Sequence, residues 1–247
     1  MTGRMKILIT ADIHSNLPAL EAVIEDAGVH GSIDEFWCLG DIVGYGPQPG
    51  ECINVLRRYN AVCVAGNHDR AVIGKLDYSW FNPEAVVAGR WTSTRLSLNQ
   101  KVWLENLPLK IIKDDVLLVH GSPSDMLLEY IISASIAERN FAFFENRFCF
   151  CGHTHRPVAF RKDIGEVKTI GLKPGIGLVM SDNRMIINPG SVGQPRDGDP
   201  RAAYAVYDTE SGILRLERIE YDIRATQDKM MEVGLPVRLI TRLEQGR

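Results

Sequence analysis

The sequence has no apolar run near the roughly 20 residues that a membrane-spanning helix needs. It has no surplus of positive charge either: 28 Lys and Arg stand against 31 Asp and Glu, a formal charge of −3. A long groove for duplex nucleic acid needs clustered Lys and Arg, so that class is set aside. The five cysteines, Cys38, Cys52, Cys63, Cys149 and Cys151, are odd in number and irregular in spacing. That argues against an extracellular disulfide framework and for a reducing, cytoplasmic setting. Met1 to Lys6 runs straight into Ile7-Leu8-Ile9 without an apolar leader and cleavage site, so no secretory signal is expected. Gly-x-x-x-x-Gly-Lys-Ser/Thr, Gly-x-Gly-x-x-Gly and Gly-x-Ser-x-Gly are all missing. Nucleotide P-loop, dinucleotide-binding and serine-hydrolase readings therefore lack their signatures.

What is present suits a globular chain with a full core. The 247 residues are 45% hydrophobic and 24% charged, and a chain of this size buries most of its surface without disulfide or metal staples. We expect one domain over residues 1–247. Short apolar runs predict strands at Lys6–Thr10, Glu35–Leu39 and Ala61–Val64, with helices from Leu17 and from Cys52 to Tyr59 between and beside them. Pro83–Leu107 and Ile136–Phe144 read as helical, and Val116–Val119 and Phe148–Cys151 as strands. Beyond Pro157, short strands separated by Gly, Pro and Asp turns dominate, at 158–161, 177–180, 184–187, 203–207 and 213–220. Arg224 to the end reads as an amphipathic helix. The fold class is α/β, with antiparallel strands added in the second half.

Five of the six histidines stand in short polar motifs that follow apolar strands. Asp12 and His14 follow the first strand as Asp-Ile-His, and Asp41 follows the second as Gly-Asp. Asn67, His68 and Asp69 follow the third as Gly-Asn-His-Asp. His120 follows Val116–Val119, and His153 and His155 follow Phe148–Cys151 as Gly-His-Thr-His. Open α/β sheets bind ligands beyond the carboxyl ends of their strands, so these distant segments describe one site. Imidazole with carboxylate suits borderline divalent ions. Asp12, His14, Asp41, Asn67, His120, His153 and His155 are too many ligands for one tetrahedral ion, and they suit two ions that share a carboxylate. Two Asp ligands cancel only half the charge of two divalent ions, so the site should attract an anion.

These motifs, in this order, resemble the calcineurin-like metallophosphoesterase family. Asn188-Pro-Gly-Ser-Val-Gly-Gln-Pro-Arg196, Gly121-Ser122-Pro123 and Glu129-Tyr130 resemble its small bacterial and archaeal branch of phosphodiesterase-like and diadenosine-tetraphosphatase-like proteins. The resemblance implies a four-layer αββα sandwich of two mixed β-sheets flanked by helices. It implies that Asp12, His14 and His155 hold one ion, that Asn67, His120 and His153 hold another, and that Asp41 and a hydroxide bridge them. The hydroxide would be the nucleophile. His68 would face the substrate and protonate the leaving oxygen, and Asp69 would orient the His68 ring. The implied cofactors are two divalent metal ions, Mn²⁺ favoured, with Fe, Zn, Co or Ni as alternatives. The implied partner is a small phosphoester or nucleotide, hydrolysed most simply as a phosphodiester. Rivals are a phosphomonoesterase or protein Ser/Thr phosphatase, a dinucleoside polyphosphate hydrolase, and a non-catalytic scaffold of the same fold.

Several features carry a plainer reading beside the functional one. Cys149, Cys151, His153 and His155 share parity along an extended chain and imitate a Cys₂His₂ zinc site. Alternate residues of one strand spread too far to wrap one ion, so both Cys are read as strand packing. Arg196 either forks onto a phosphate or, the preferred reading, pairs with Asp197 or Asp199 in a surface loop. Asn188–Gly193 either offers backbone N–H groups to an anion or forms a tight turn. Tyr45 either stacks on a substrate or lies on a surface loop. Trp80, Phe81, Trp91 and Trp103 read as core or as an interface, and residues 77–107 as a cover over the site or an interface. His30 reads as a solvated residue at a helix end.

Overall fold

The computed structural model describes residues 5–29, 31–180 and 182–247, so His30 lies outside the described residues. The fold is built from two six-stranded mixed sheets. Strands Lys6–Thr10 (β1), Glu35–Cys38 (β2) and Val62–Cys63 (β3) run parallel to one another at one edge of the first sheet. Helices Leu17–Val29 (α1) and Pro49–Arg58 (α2) connect them. Asn16 caps α1 by accepting from the Ala19 N–H at 3.3 Å. Short connections between parallel strands of one sheet need such crossovers, so the carboxyl ends of β1, β2 and β3 all point the same way.

After β3 come Asn67–Val72 (α3), Pro83–Arg95 (α4) and Leu98–Asn106 (α5). The helical stretch expected over Pro83–Leu107 is thus two helices. Ser97 breaks it by forming a capping box with Gln100. Lys110–Lys113 (β4), Val116–Val119 (β5) and Phe148–Phe150 (β6) open the second sheet, with Ala134–Asn140 (α6) before β6. Val158–Asp163 (β7), Glu166–Ile170 (β8), Gly177–Val179 (β9), Met185–Asn188 (β10), Ala202–Asp208 (β11) and Ile213–Ile219 (β12) complete both sheets. The orders are β3-β2-β1-β11-β12-β9 and β4-β5-β6-β10-β7-β8. The C-terminal segment is not one helix. Ile223–Glu232 (α7), Val237–Thr241 (α8) and a 3₁₀ turn at Arg242–Gln245 are divided by Gly234, which takes φ +74°, and by Pro236.

Strand parity sorts the core into layers. Ile7, Ile9, Trp37, Phe148, Phe150, Met185 and Ile187 point inward and pack between the sheets. Leu8, Phe36 and Cys38 point outward beneath Leu20, Val23, Ile53 and Leu56 of α1 and α2. Leu117, Val119, Cys149, Cys151 and Ile186 point outward beneath Ala137 and Phe141 around α6. The result is the expected αββα arrangement. A fourth cluster packs Ala85 and Ala88 of α4 against Met230, Leu235, Leu239 and Leu243 of the C-terminal helices. Residues 77–107 therefore face their own C-terminus in part.

Candidate active site

Loops at the carboxyl ends of β1, β2, β3, β5 and β6 bring together every residue singled out as a candidate metal ligand. Asp12, His14, Asp41 and His155 offer ligand atoms all within 4.8 Å of one another, and so do Asp41, His120 and His153. Asn67 Oδ1 stands 3.0 Å from His120 Nε2. All seven side chains are buried. The backbone carries the strain of this convergence. Asp12, His14, Asp41, His153 and His155 all take left-handed conformations, with φ between 49° and 66°. Gly66 lets the third loop approach, since a Cβ there would stand 2.1 Å from Asp41 Oδ1.

Four histidines are oriented by backbone carbonyls, which only accept. His14 Nδ1 lies 3.1 Å from Val43 O, His120 Nδ1 2.8 Å from Leu39 O and His155 Nδ1 2.6 Å from Gln194 O. His153 uses its other nitrogen, with Nε2 3.3 Å from Leu128 O. In the neutral ring, the N–H goes to the carbonyl and the remaining nitrogen presents a lone pair to the site. His14 Nε2 then faces His155 Nε2 at 3.2 Å, and His120 Nε2 faces His153 Nδ1 at 3.1 Å. Two lone pairs at that separation repel unless a cation or proton lies between them. Asp12 Oδ2 is buried without a hydrogen-bond partner. Two opposed lone pairs beside an orphaned carboxylate oxygen are a donor set that fits a divalent cation.

The electrostatics match. Burial drives the His14 and His155 imidazoles well below their ordinary range and His153 down to about 3, so all three are neutral. Burial also opposes charge on His120, but Asp41, whose Oδ2 is 3.3 Å from His120 Nε2, overcomes it and raises His120 to about 9. Burial pushes the Asp12 carboxyl up, and the charge of Asp41 adds to the shift. Without ions the cluster stores protons in their place.

His68 makes none of these carbonyl contacts. Its backbone N–H donates to Asp41 Oδ1 at 2.9 Å. Its ring packs at centroid distances of 4.4 Å from Tyr45, 4.8 Å from His14 and 4.9 Å from Phe81. The expectation that Asp69 orients the His68 ring is corrected. The Asp69 carboxylate accepts instead from the backbone N–H groups of Ile42, Val43 and Gly66, at 2.9–3.0 Å, and so ties the second loop to the third. Of the two readings of Asn188–Gly193, the tight turn is the one that the hydrogen bonds support. Val192 N donates to Ala11 O, while Gly193 N and Ser191 Oγ both donate to Asp12 O. The turn spends its donors on bracing Asp12.

Arg196 does not pair with either neighbouring acid. Asp197 pairs with Arg218, and Asp199 with Arg201 at 2.7 Å. The Arg196 guanidinium donates to Gln194 Oε1 at 3.0 Å and lies 5.8 Å over the Tyr45 ring. Tyr45 is buried beside His14 rather than on the surface. Trp80 is 69% exposed, whereas Trp91 and Trp103 are partly buried against the core. Tyr130, stacked on His153 at 3.8 Å, was given no role by sequence reading. Nor were the four orienting carbonyls, because a backbone oxygen leaves no mark on residue type.

The model of the calcineurin-like phosphoesterase superfamily domain matches residues 5–212. The chain belongs to this superfamily. It is a phosphoric ester hydrolase by that membership. A metallophosphoesterase from Sphaerobacter thermophilus is 46% identical, with a TM-score of 0.91 over 99% of this chain and 100% of that one. The uncharacterized protein MJ0912 of Methanocaldococcus jannaschii is 36% identical over 98% of both chains. A symmetrical bis(5'-nucleosyl)-tetraphosphatase of Actinobacillus pleuropneumoniae is 30% identical over 54% of this chain and 52% of that one. That likeness thus covers about half of each of the two proteins. No helix of the described residues is long and apolar enough to cross a membrane.

Proposed function

We propose that this calcineurin-like protein is a dinuclear-metal phosphodiesterase acting on a small phosphoester in a reducing cytoplasm. Asp12, His14 and His155 would hold one divalent ion, Asn67, His120 and His153 the other, and Asp41 both. The observation that carries this reading is the close approach of imidazole nitrogens in each half-site, His14 Nε2 to His155 Nε2 and His120 Nε2 to His153 Nδ1, with Asp41 Oδ2 reaching toward both. Two bound ions, Mn²⁺ favoured, supply Lewis-acid charge to the phosphoryl oxygens and make an attacking water acidic. Water oxygen replaces the leaving oxygen on phosphorus, and the leaving oxygen takes its proton from His68. Burial, helped by the charges of Arg196 and His120, holds His68 down to about 4 in the protein alone. An anionic substrate against the ring opposes that shift and favours the protonated form that the step needs.

The test is nitrophenol release from bis(p-nitrophenyl) phosphate, with Mn²⁺ and after chelation. Manganese-dependent turnover that the chelator abolishes is the expected result. No turnover by protein carrying a full metal complement would overturn the phosphodiesterase reading. A dinucleoside polyphosphate hydrolase is the second reading, supported by the similarity to the symmetrical tetraphosphatase.

A further inference from the structure

The loop between β5 and α6 leaves from one candidate ligand, His120, and returns onto another, His153. Leu128 O lies 3.3 Å from His153 Nε2, and the Tyr130 ring stacks on the His153 ring with centroids 3.8 Å apart and planes 21° from parallel. Between these two residues stands Glu129. Its Oε2 accepts from Ser122 Oγ at 2.6 Å, Ser124 Oγ at 2.6 Å and Asn140 Nδ2 at 2.8 Å. Asn140 is buried at the end of α6, and its Oδ1 accepts in turn from Ser124 N at 3.0 Å. One carboxylate oxygen thus ties the start and the end of an irregular loop to a helix. Asp125 Oδ1 braces the middle by accepting from Leu127 N at 3.1 Å and Leu128 N at 3.0 Å. Gly121 permits the close fold, since a Cβ there would stand 2.7 Å from Asp125 O. The other half-site has no share in this loop: His14 rests on Val43 O and His155 on Gln194 O.

An imidazole held by one hydrogen bond at its edge still rocks about that bond. A ring stacked on its face removes this freedom, and partners that orient metal-bound histidines typically carry about 10–100-fold of metal affinity. Hydrogen bonds to an ionised carboxylate are about twice as strong as neutral ones, which suits a Glu to a position that faces three donors. Glu129 spends Oε2 on those donors and turns Oε1 toward the Arg139 guanidinium at 3.8 Å, so the carboxylate anchors the loop rather than ligating. Tyr130 is 44% exposed, so its ring is placed for His153 and not for the core. Resting on the two-ion reading above, we propose that Glu129 and Tyr130 are positioning residues for His153. They set the affinity of the ion assigned to Asn67, His120 and His153, and leave the ion assigned to Asp12, His14 and His155 unaffected.

The test reads bound metal and needs no turnover. Mn²⁺ is titrated calorimetrically into chelator-treated full-length protein, and metal per chain is counted by elemental analysis. The wild type should take two ions. Tyr130→Ala and Glu129→Ala should each weaken one of them by about 10–100-fold and leave the other unchanged. At a free Mn²⁺ concentration that just fills the wild type, both alanine variants should show the paramagnetic resonance spectrum of an isolated ion, where the wild type shows a coupled pair. Tyr130→Phe keeps the stack, and Glu129→Gln keeps an oxygen for the three donors. Each should restore most of the affinity that the alanine loses. Unchanged affinity for both ions in Tyr130→Ala, which gives up only a partly exposed ring and should fold, would overturn the proposal. It decides alone if Glu129→Ala fails to fold. Equal weakening of both ions would mark a general loosening and overturn the proposal too, as would Tyr130→Phe binding as poorly as Tyr130→Ala. A wild type that takes fewer than two ions would sink the two-ion reading itself, and this assignment with it.

Discussion

Each histidine of the site is distinguished by where its second nitrogen goes. His14, His120, His153 and His155 rest one nitrogen on a backbone carbonyl and turn the other inward. His68 has no such rest and packs between Tyr45 and Phe81. The proposed function gives His68 proton transfer rather than ligation, and this difference supports that proposal. His68→Ala should therefore keep its full metal content, measured by elemental analysis, while turnover falls by about 10²–10⁴-fold. A loss of metal would make His68 a ligand instead. Asp41 reaches toward both half-sites, with Oδ2 3.5 Å from His14 Nε2 and 3.3 Å from His120 Nε2. Asp41→Asn should lower the occupancy of both ions together, and two full sites in that variant would refute a shared carboxylate. The convergence of these seven side chains was legible in the sequence because each follows an apolar strand. The partners of Asp69 and Arg196 were not. Asp69 spends its oxygens on backbone donors, which residue types do not encode. Arg196 has acids one and three residues away, yet the distant Arg218 takes Asp197 and the neighbouring Arg201 takes Asp199.

At the scale of elements, strand parity decides between the two readings of the Cys-Phe-Cys-Gly-His-Thr-His run. In β6, Phe148 and Phe150 enter the core between the sheets, while Cys149 and Cys151 enter the layer under α6. The histidines lie past Gly152 in left-handed backbone, which ends the extended geometry that shared parity assumes. Burial raises the Cys149 thiol well above its usual range and the Cys151 thiol to about 12, so neither offers a thiolate. Cys149→Ser with Cys151→Ser should leave bound metal unchanged. Each serine should cost about 1–3 kcal/mol in urea unfolding, because it buries a hydroxyl in an apolar layer. A fall in metal content at unchanged stability would revive the zinc reading. The same parity explains which elements were missed. β4 reads Lys-Ile-Ile-Lys and β8 reads Glu-Val-Lys-Thr-Ile, both at sheet edges and mostly exposed. An edge strand half in water lacks the apolar run that marks a buried one. α6 stops at Asn140 because Phe141 and Phe144 turn inward, and the Arg184 guanidinium covers both rings.

Across the whole molecule, the apolar layers and the site occupy different places. The three large cores lie between and outside the sheets, whereas the ionisable cluster sits on loops beyond the strand ends. Chelation should thus leave the protein folded, with its secondary-structure spectrum intact. Each of the two proposed ions at 100 times its Kd adds about 2.7 kcal/mol, so chelation should lower Tm by about 10–20 °C for a chain of this size. The protons stored in the bare cluster set the pH dependence of reloading. Burial favours the neutral Asp12 carboxyl, and Asp41 holds His120 protonated up to about 9. A cation needs both groups deprotonated, so binding expels protons. Raising the pH removes those protons beforehand, and metal affinity should rise as pH climbs from 7 toward 9. Calorimetric titration in two buffers of different ionisation enthalpy measures the release directly. Affinity that stays flat across this range, with no proton release, would mean that Asp12 and His120 are already open to the ion and that the 3.1 Å approach of His120 Nε2 to His153 Nδ1 is held by something other than a stored proton.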